Sequence, residues 1–284
     1  MTPAPTQSHR FRRRAGLAVR ALVLFAFATF FVVPLVWLVL APTKTDSELV
    51  TRHPFAVGSL HNVWDAWQRV DGFDEHVFRR WMGNSLLYSL SATAITLATA
   101  IPAGYGLAFG RFPGRRLILS LTLVSMIMPA AALVLPIFLE LNSLHLIGSA
   151  FSIILPFAFF PFGVYCAYIY YLTALPRGLL DAARVDGCGE LQTFLRVALP
   201  LAKPIVALVV FFSFVANWNN FFLPYVFLSD ERRLPVQVGL SDIFGSTRSA
   251  VALATLVAAV PVAIVFIASQ RALERGLFGG ASKG

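Results

Sequence analysis

Apolar and polar positions along this chain alternate in long blocks rather than with a helical or strand period. An α-helix needs about 20 apolar residues to cross the hydrocarbon core of a bilayer. Six blocks reach that length, over roughly 17–41, 85–109, 117–139, 148–172, 205–226 and 250–268. The first follows Arg10, Arg12, Arg13 and Arg14, as the apolar region of a secretory leader would. Residues 21–41 carry no charge over 21 positions, well beyond the roughly 7–15 apolar residues of a leader, so this block reads as a retained span. Asn84 opens the second span as a helix cap. Pro34, Pro102, Pro129, Pro136, Pro156, Pro161 and Pro261 fall within spans. Each frees a carbonyl and bends its helix unless neighbours satisfy it again. Such kinks suit a transport path, and they are also common in any membrane bundle.

The polar blocks between the spans are few. Residues 42–82 hold Trp64 and Trp67 and are long enough for one or two short helices at the interface. Residues 173–204 form the longest internal stretch that cannot lie in lipid, with seven charges over the 29 residues of 176–204. Residues 227–248 carry LSDERR and DIFGSTR. Basic residues are retained on the cytoplasmic side of a membrane protein. With the N-terminus inside, 15 of the 23 Lys and Arg fall on the inner side, against 4 of the 14 acidic residues. Both termini and the 173–204 loop are therefore expected in the cytoplasm. The same asymmetry accounts for the net charge of +9 without a nucleic-acid partner.

Composition fits a polytopic all-α membrane protein. The chain is 57% hydrophobic and 13% charged, where a soluble domain carries about a quarter charged residues. Cys166 and Cys188 fall in a span and in the central loop, at different depths, which implies neither a disulfide nor redox chemistry.

Several chemistries are missing. Ionisable residues inside spans mark proton relays and ion-coupled carriers, and here Arg20 and Glu140 sit only at span ends. The five histidines are scattered without metal-ligand spacing, so no metal site is expected. GxSxG is absent, which disfavours a membrane hydrolase, and no catalytic residue is assigned. GxxxxGK[ST] is absent as well, so the chain holds no ATP or other cofactor of its own, and energy from ATP would enter through another, cytoplasmic subunit.

Two polar groups remain as candidates. Asn217, Trp218, Asn219 and Asn220 lie in FSFVANWNNFFLPY of the fifth span. Amides in lipid are costly unless bonded. They either bond to neighbouring helices or line a path for a neutral, hydroxyl-rich solute, the indole stacking on a sugar ring. The second candidate is the 176–204 loop. Pro176 suits the first turn of a helix, and Leu179, Leu180 and Ala183 form its apolar face. Asp181 lies near the start, where the helix dipole favours it. Gly187, after Asp186, stands where a left-handed residue would end that helix. A second helix starts near Glu190 and shows Leu191, Phe194 and Leu195, and Pro200 and Pro204 turn the chain into the fifth span. A helical hairpin flat on the membrane would explain the amphipathicity but not the Ala182–Ala183 pair or the glycine.

Asp181-Ala182-Ala183, three residues, Gly187, nine residues, then Val197-Ala198-Leu199-Pro200 resembles the EAA motif of ABC importer permeases, in order, in spacing and in its place between the fourth and fifth of six spans. Asn84-Ser85-Leu86, Phe112-Pro113-Gly114, Met128-Pro129, Leu135-Pro136, Trp218-Asn219 and the tail from Gln270-Arg271 through Gly279-Gly280-Ala281-Ser282-Lys283-Gly284 are similar to the maltodextrin/glycerol-phosphate group. The resemblance covers about residues 15–284 and implies the type I importer permease fold in a bacterial inner membrane. It implies partners too: a second homologous permease subunit, two cytoplasmic ATP-binding subunits that hydrolyse the ATP, and an extracytoplasmic solute-binding protein. Asp181, Ala182, Ala183, Asp186, Gly187 and Pro200 would couple to the ATPase, and residues 227–248 would meet the binding protein. Asp181 departs from the usual Glu and shortens the reach of the carboxylate; Cys188-Gly189 departs from Ala-Ser and loosens the joint after Gly187.

The layout expected is a basic cytoplasmic segment 1–16, a first span 17–41, an extracytoplasmic segment 42–82, a permease core 83–276 containing the 173–204 coupling loop, and a cytoplasmic tail 277–284. The function expected is uptake of a neutral sugar by alternating access. The alternatives are the same architecture carrying another solute such as glycerol phosphate, or a membrane scaffold that docks a soluble partner.

Overall fold

The computed structural model describes residues 7–243 and 245–278, with side chains placed over 16–243 and 245–272. The expected segments 1–16 and 277–284 lie mostly outside these. Every regular element among the described residues is helical, and they form two compact units.

One unit takes described residues within 1–72 and 244–257. Helix α1 (Gln7–Leu40) contains the first span, with a mean hydropathy of 2.7 over its most apolar window. Two short helices follow, α2 (Asp46–Thr51) and α3 (Leu60–Asp71). Thr45 and Glu48 close a reciprocal cap at the start of α2. The Asp46 carboxylate reaches across the unit to residues 248 and 249, accepting from the Arg248 and Ser249 backbone N–H groups at 3.1 and 3.2 Å. It thereby satisfies two first-turn donors of the last helix, which that helix cannot satisfy itself.

The other unit takes described residues within 73–243 and 258–284. Its axis is α4 (Val77–Phe109), 33 residues long and about 50 Å from end to end. Helices α5 (Arg115–Ile127) and α6 (Ala130–Ser143) were expected as one span over 117–139, bent at its prolines. They meet at a 111° bend. Pro129 forces it, since residue 128 is pushed into an extended conformation and the proline gives no N–H. Helices α7 (Ala150–Ala158) and α8 (Pro161–Ala174) share the fourth span, interrupted at Phe159 and Phe160. Pro161 leaves the Phe157 carbonyl without its helical donor. The Thr96 hydroxyl of α4 supplies one at 3.0 Å, the repair expected where a helix breaks within lipid. Helices run on through Pro34, Pro102, Pro136, Pro156 and Pro261. The third and fourth spans break where proline stands at a helix start, at Pro129 and Pro161.

Helices α9 (Arg177–Val185), α10 (Glu190–Thr193) and α11 (Leu199–Leu201) make up the loop, with a π turn over Phe194–Ala198 between the last two. Helix α12 (Lys203–Trp218) then departs at 78° from the 190–201 run. The fifth span was expected to continue to 226. It stops at Trp218, and a separate short helix α13 (Phe222–Phe227) follows. Helix α14 (Val236–Ile243) lies in the next polar block, and α15 (Arg248–Phe278) carries the sixth span. Among the described residues, four helical runs, one of them α7 with α8, are long and apolar enough to cross a membrane, or up to six if each bent pair counts as one span.

Candidate functional site

The loop keeps the geometry its sequence implies. Pro176 is the N-cap of α9, one residue earlier than the first turn. Leu180 and Ala183 are buried while Leu179 is exposed, so the apolar face is narrower than expected. It rests on Tyr105 and Ala108 of α4, Tyr171 of α8 and Phe194, which share one core with it; the Tyr105 and Phe194 rings lie 5.1 Å apart. Gly187 has φ +86°, a conformation that costs an L residue. Its N–H donates to the Arg184 carbonyl and the Cys188 N–H to the Ala183 carbonyl, both at 3.0 Å, which closes the left-handed stop at the end of α9.

Asp181 and Ala182 face away from that core and are exposed. Arg184 donates to Asp181 at 3.0 Å and to both oxygens of Glu190 at 3.0 and 3.3 Å. One guanidinium thus ties α9 to α10 across the Gly187 joint in a bidentate pair. The Glu190 hydrogen bond, more than the Asp181 bond, raises the Arg184 pKa above its ordinary range. Arg184 and Asp181 are also on the wall of a cavity of about 890 Å³ that reaches Arg111 and Arg115 at the end of α4. Pro200 lies inside the 190–201 run, and the reversal falls at Ala202. The turn is therefore not made by Pro200. Lacking an N–H, the proline sits directly after the π turn, where Leu199 N–H bonds the Phe194 carbonyl.

The amide cluster is dispersed. Trp218 is 1% exposed, its ring stacked on Phe214 with centroids 5.5 Å apart and its N–H donating to the Ala258 carbonyl at 3.0 Å. The Asn217 amide donates to the Ser213 carbonyl at 2.8 Å, beside a buried hydroxyl group formed by Ser213, Thr93 and Thr96. Asn219 caps α12 and is exposed, with its amide on the Val215 carbonyl at 3.0 Å. Asn220 accepts from the Leu223 N–H at 3.4 Å, and its own buried amide nitrogen has no partner among the described residues. The structure does not bring the four together into one wall.

A third arrangement went unseen in the sequence. Asn84 does not cap a helix, because α4 already begins at Val77. Its amide donates to the Arg232 and Leu234 carbonyls at 2.9 and 3.0 Å. Trp81 donates to Glu231 at 2.8 Å, Tyr88 to Arg233 at 2.9 Å, and Ser85 accepts from the Val236 N–H at 2.8 Å. Residues 81, 84, 85 and 88 are spaced i, i+3, i+4, i+7, one face of a helix. That spacing was available in the sequence; its target, a run of loop carbonyls about 150 residues away, was not. The clamp holds the 231–236 segment on one end of α4, and the α9 contact bears on the other end.

The sequence profile of a family described as "Binding-protein-dependent transport system inner membrane component" matches residues 100–279. The chain is 34% identical to the arabinooligosaccharides transport system permease protein AraQ of Bacillus subtilis, over 93% of this chain and 95% of that one. It is 30% identical to the lactose transport system permease protein LacG of Rhizobium radiobacter, over 94% and 97%. Identity to the diacetylchitobiose uptake system permease protein NgcG of Streptomyces coelicolor is 28%, over 92% and 86%. A crystal structure of a bacterial ABC transporter involved in the import of the acidic polysaccharide alginate contains a chain with the same fold, at TM-score 0.78 and 24% identity, covering 95% of this chain and 99% of that one. With its membrane-spanning helices, this fold and a profile match over most of its length, the chain belongs to the family of inner membrane permease components of binding-protein-dependent ABC transport systems.

Proposed function

We propose that this chain is one permease subunit of an ATP-driven carbohydrate importer, placed with both termini and the α9–α11 loop in the cytoplasm. Helix α9 docks a cytoplasmic ATPase through Asp181, Ala182 and the Gly187 stop. The 227–243 segment faces an extracytoplasmic solute-binding protein, and a second permease completes the path. Closure of the ATPases on ATP pushes α9, and α4 carries that displacement along its length by alternating access. The observation that carries this reading is the combination in α9 of a fixed end, Gly187 at φ +86°, a buried inner face at Leu180 and Ala183, and an exposed outer face at Asp181 and Ala182. A helix packed on one face and held at a set angle can transmit force.

Carbohydrate as cargo is favoured by the names of AraQ, LacG and NgcG and by the amides of Asn219 and Asn220 at the end of α12, which suit hydroxyl partners. Orientation rests on the distribution of Lys and Arg. The test is reconstitution in proteoliposomes with the partner permease, two ATPase subunits and the binding protein. Labelled arabinooligosaccharide, lactose and diacetylchitobiose are offered in turn, with glycerol phosphate as the competing cargo. ATP-dependent accumulation of at least one saccharide is expected. Accumulation of glycerol phosphate alone would replace the cargo, and no transport despite assembly would favour the scaffold.

A further inference from the structure

Helix α3 carries three distinct faces. Ala66 and Val70 are buried. His61, Asp65 and Gln68 form a polar side, with His61 and Asp65 paired at 3.6 Å. Between these lies an apolar stripe that nothing in the unit covers: Leu60 is 83% exposed and Trp64 58%, continued before the helix by Val57 at 72%. A soluble surface does not gather such residues without a partner.

The height of this stripe is fixed by the span that precedes it. Helix α1 ends at Leu40 and a single 3-10 turn carries the chain to Thr43. The Thr43 carbonyl accepts from the Ser59 N–H at 2.7 Å and from the Asn62 amide at 2.9 Å, and its hydroxyl accepts from the Gly58 N–H at 2.9 Å. Any side chain at Gly58 would collide with the Thr43 carbonyl. Lys44 is buried, its ammonium donating to the His53 and Pro54 carbonyls at 3.2 and 2.6 Å. The start of α3 is thus buckled to the residue at which α1 leaves the hydrocarbon, where Trp37 also stands partly exposed about two turns earlier. Tryptophan is enriched at that depth because its ring is apolar and its N–H polar.

We infer that α3 is an interfacial anchor: the Val57–Leu60–Trp64 stripe sits in the headgroup and upper acyl region of the leaflet where α1 emerges, and the His61–Asp65 side faces water. The occupant is a lipid surface, and continuity with the span sets it there. Through Asp46 of the same outer segment, the anchor also holds the first turn of α15 at that membrane plane. The inference rests on α1 being a span, which an internal control separates.

The experiment places a spin label at Trp64→Cys, at His61→Cys or at Leu24→Cys, each with Cys166→Ser and Cys188→Ser, in the assembled transporter in nanodiscs. Accessibility to oxygen, which partitions into lipid, is compared with that to a water-soluble nickel chelate. Label 64 is expected to favour oxygen over nickel several-fold more than label 61, with label 24 deepest. Label 24 reading as aqueous would remove the span itself. Label 24 in lipid with label 64 as nickel-accessible as label 61, or label 64 shielded from both reagents by another subunit, overturns the anchor. Should the labelled chains fail to assemble, quenching of tryptophan fluorescence by lipids brominated near the carbonyl decides. It should be at least a quarter weaker in Trp64→Phe than in the unsubstituted chain, and equal quenching overturns the proposal.

Discussion

The loop at 181–190 and the amide cluster at 217–220 look alike as polar residues beside apolar spans, but their hydrogen-bond donors go to different places. In the loop, Arg184 bonds the carboxylates of Asp181 and Glu190, side chain to side chain, and leaves the outer face of α9 open. In the cluster, Asn217, Trp218 and Asn219 each donate to a backbone carbonyl, and Trp218 has no exposed face to offer. A buried polar group whose donors are consumed by backbone carbonyls, as at Trp218, builds the bundle. One whose charges are satisfied only at the surface is free to meet a partner.

Substitutions that break this contrast should act on transport in the loop and on stability at buried Trp218, with exposed Asn219 set apart as a candidate for the solute path. The largest effect is expected for Gly187→Pro, since proline cannot adopt φ +86°, and for Ala183→Arg, which forces a guanidinium into the buried face of α9. Uptake should fall at least tenfold with the chain still in the membrane fraction, measured by proteoliposome transport and immunoblotting. Next is Trp218→Ala. It removes a buried ring and its hydrogen bond to the Ala258 carbonyl, and should cost about 3–5 kcal/mol, read as a lowered melting temperature in detergent, with little effect per folded molecule on ATPase docking. Arg184→Ala cuts the tie between α9 and α10. These side chains are 39–68% exposed, so the stability change should be under about 1 kcal/mol, while the ATP hydrolysed per solute moved rises several-fold. Asn219→Ala should lower uptake two- to threefold at unchanged melting temperature, and undiminished uptake would assign its amide to the helix end alone. Smallest is Tyr105→Phe. Its hydroxyl is buried with no hydrogen-bond partner among the described residues, so its removal should leave stability equal or about 1 kcal/mol higher.

The sequence read well where the cause was local. Six apolar blocks, the glycine stop at 187 and the helix starting at Glu190 each follow from residues within a turn or two of the feature. It read poorly where the cause was distant. The fifth span stops at Trp218, whose indole N–H bonds the Ala258 carbonyl of a helix 40 residues away in sequence. Asn84 looked like a cap for the same reason: the carbonyls it serves, Arg232 and Leu234, are remote in sequence. The residues proposed for coupling could be picked out in advance because their motif lies within one short segment. The clamp on residues 231–236 could not, although its four residues share a helical face.

The central claim, that energy enters at α9, is tested most directly by cross-linking in the assembled transporter. A photoreactive reagent is attached at Ala182→Cys or, as the opposite-face control, at Asp230→Cys, each with Cys166→Ser and Cys188→Ser. The reagent at 182 is expected to capture the ATPase subunit, with a yield that changes when ATP is added, and the reagent at 230 to capture no ATPase. Capture of the ATPase from 230, or its absence from 182 in a complex that still hydrolyses ATP, would contradict it.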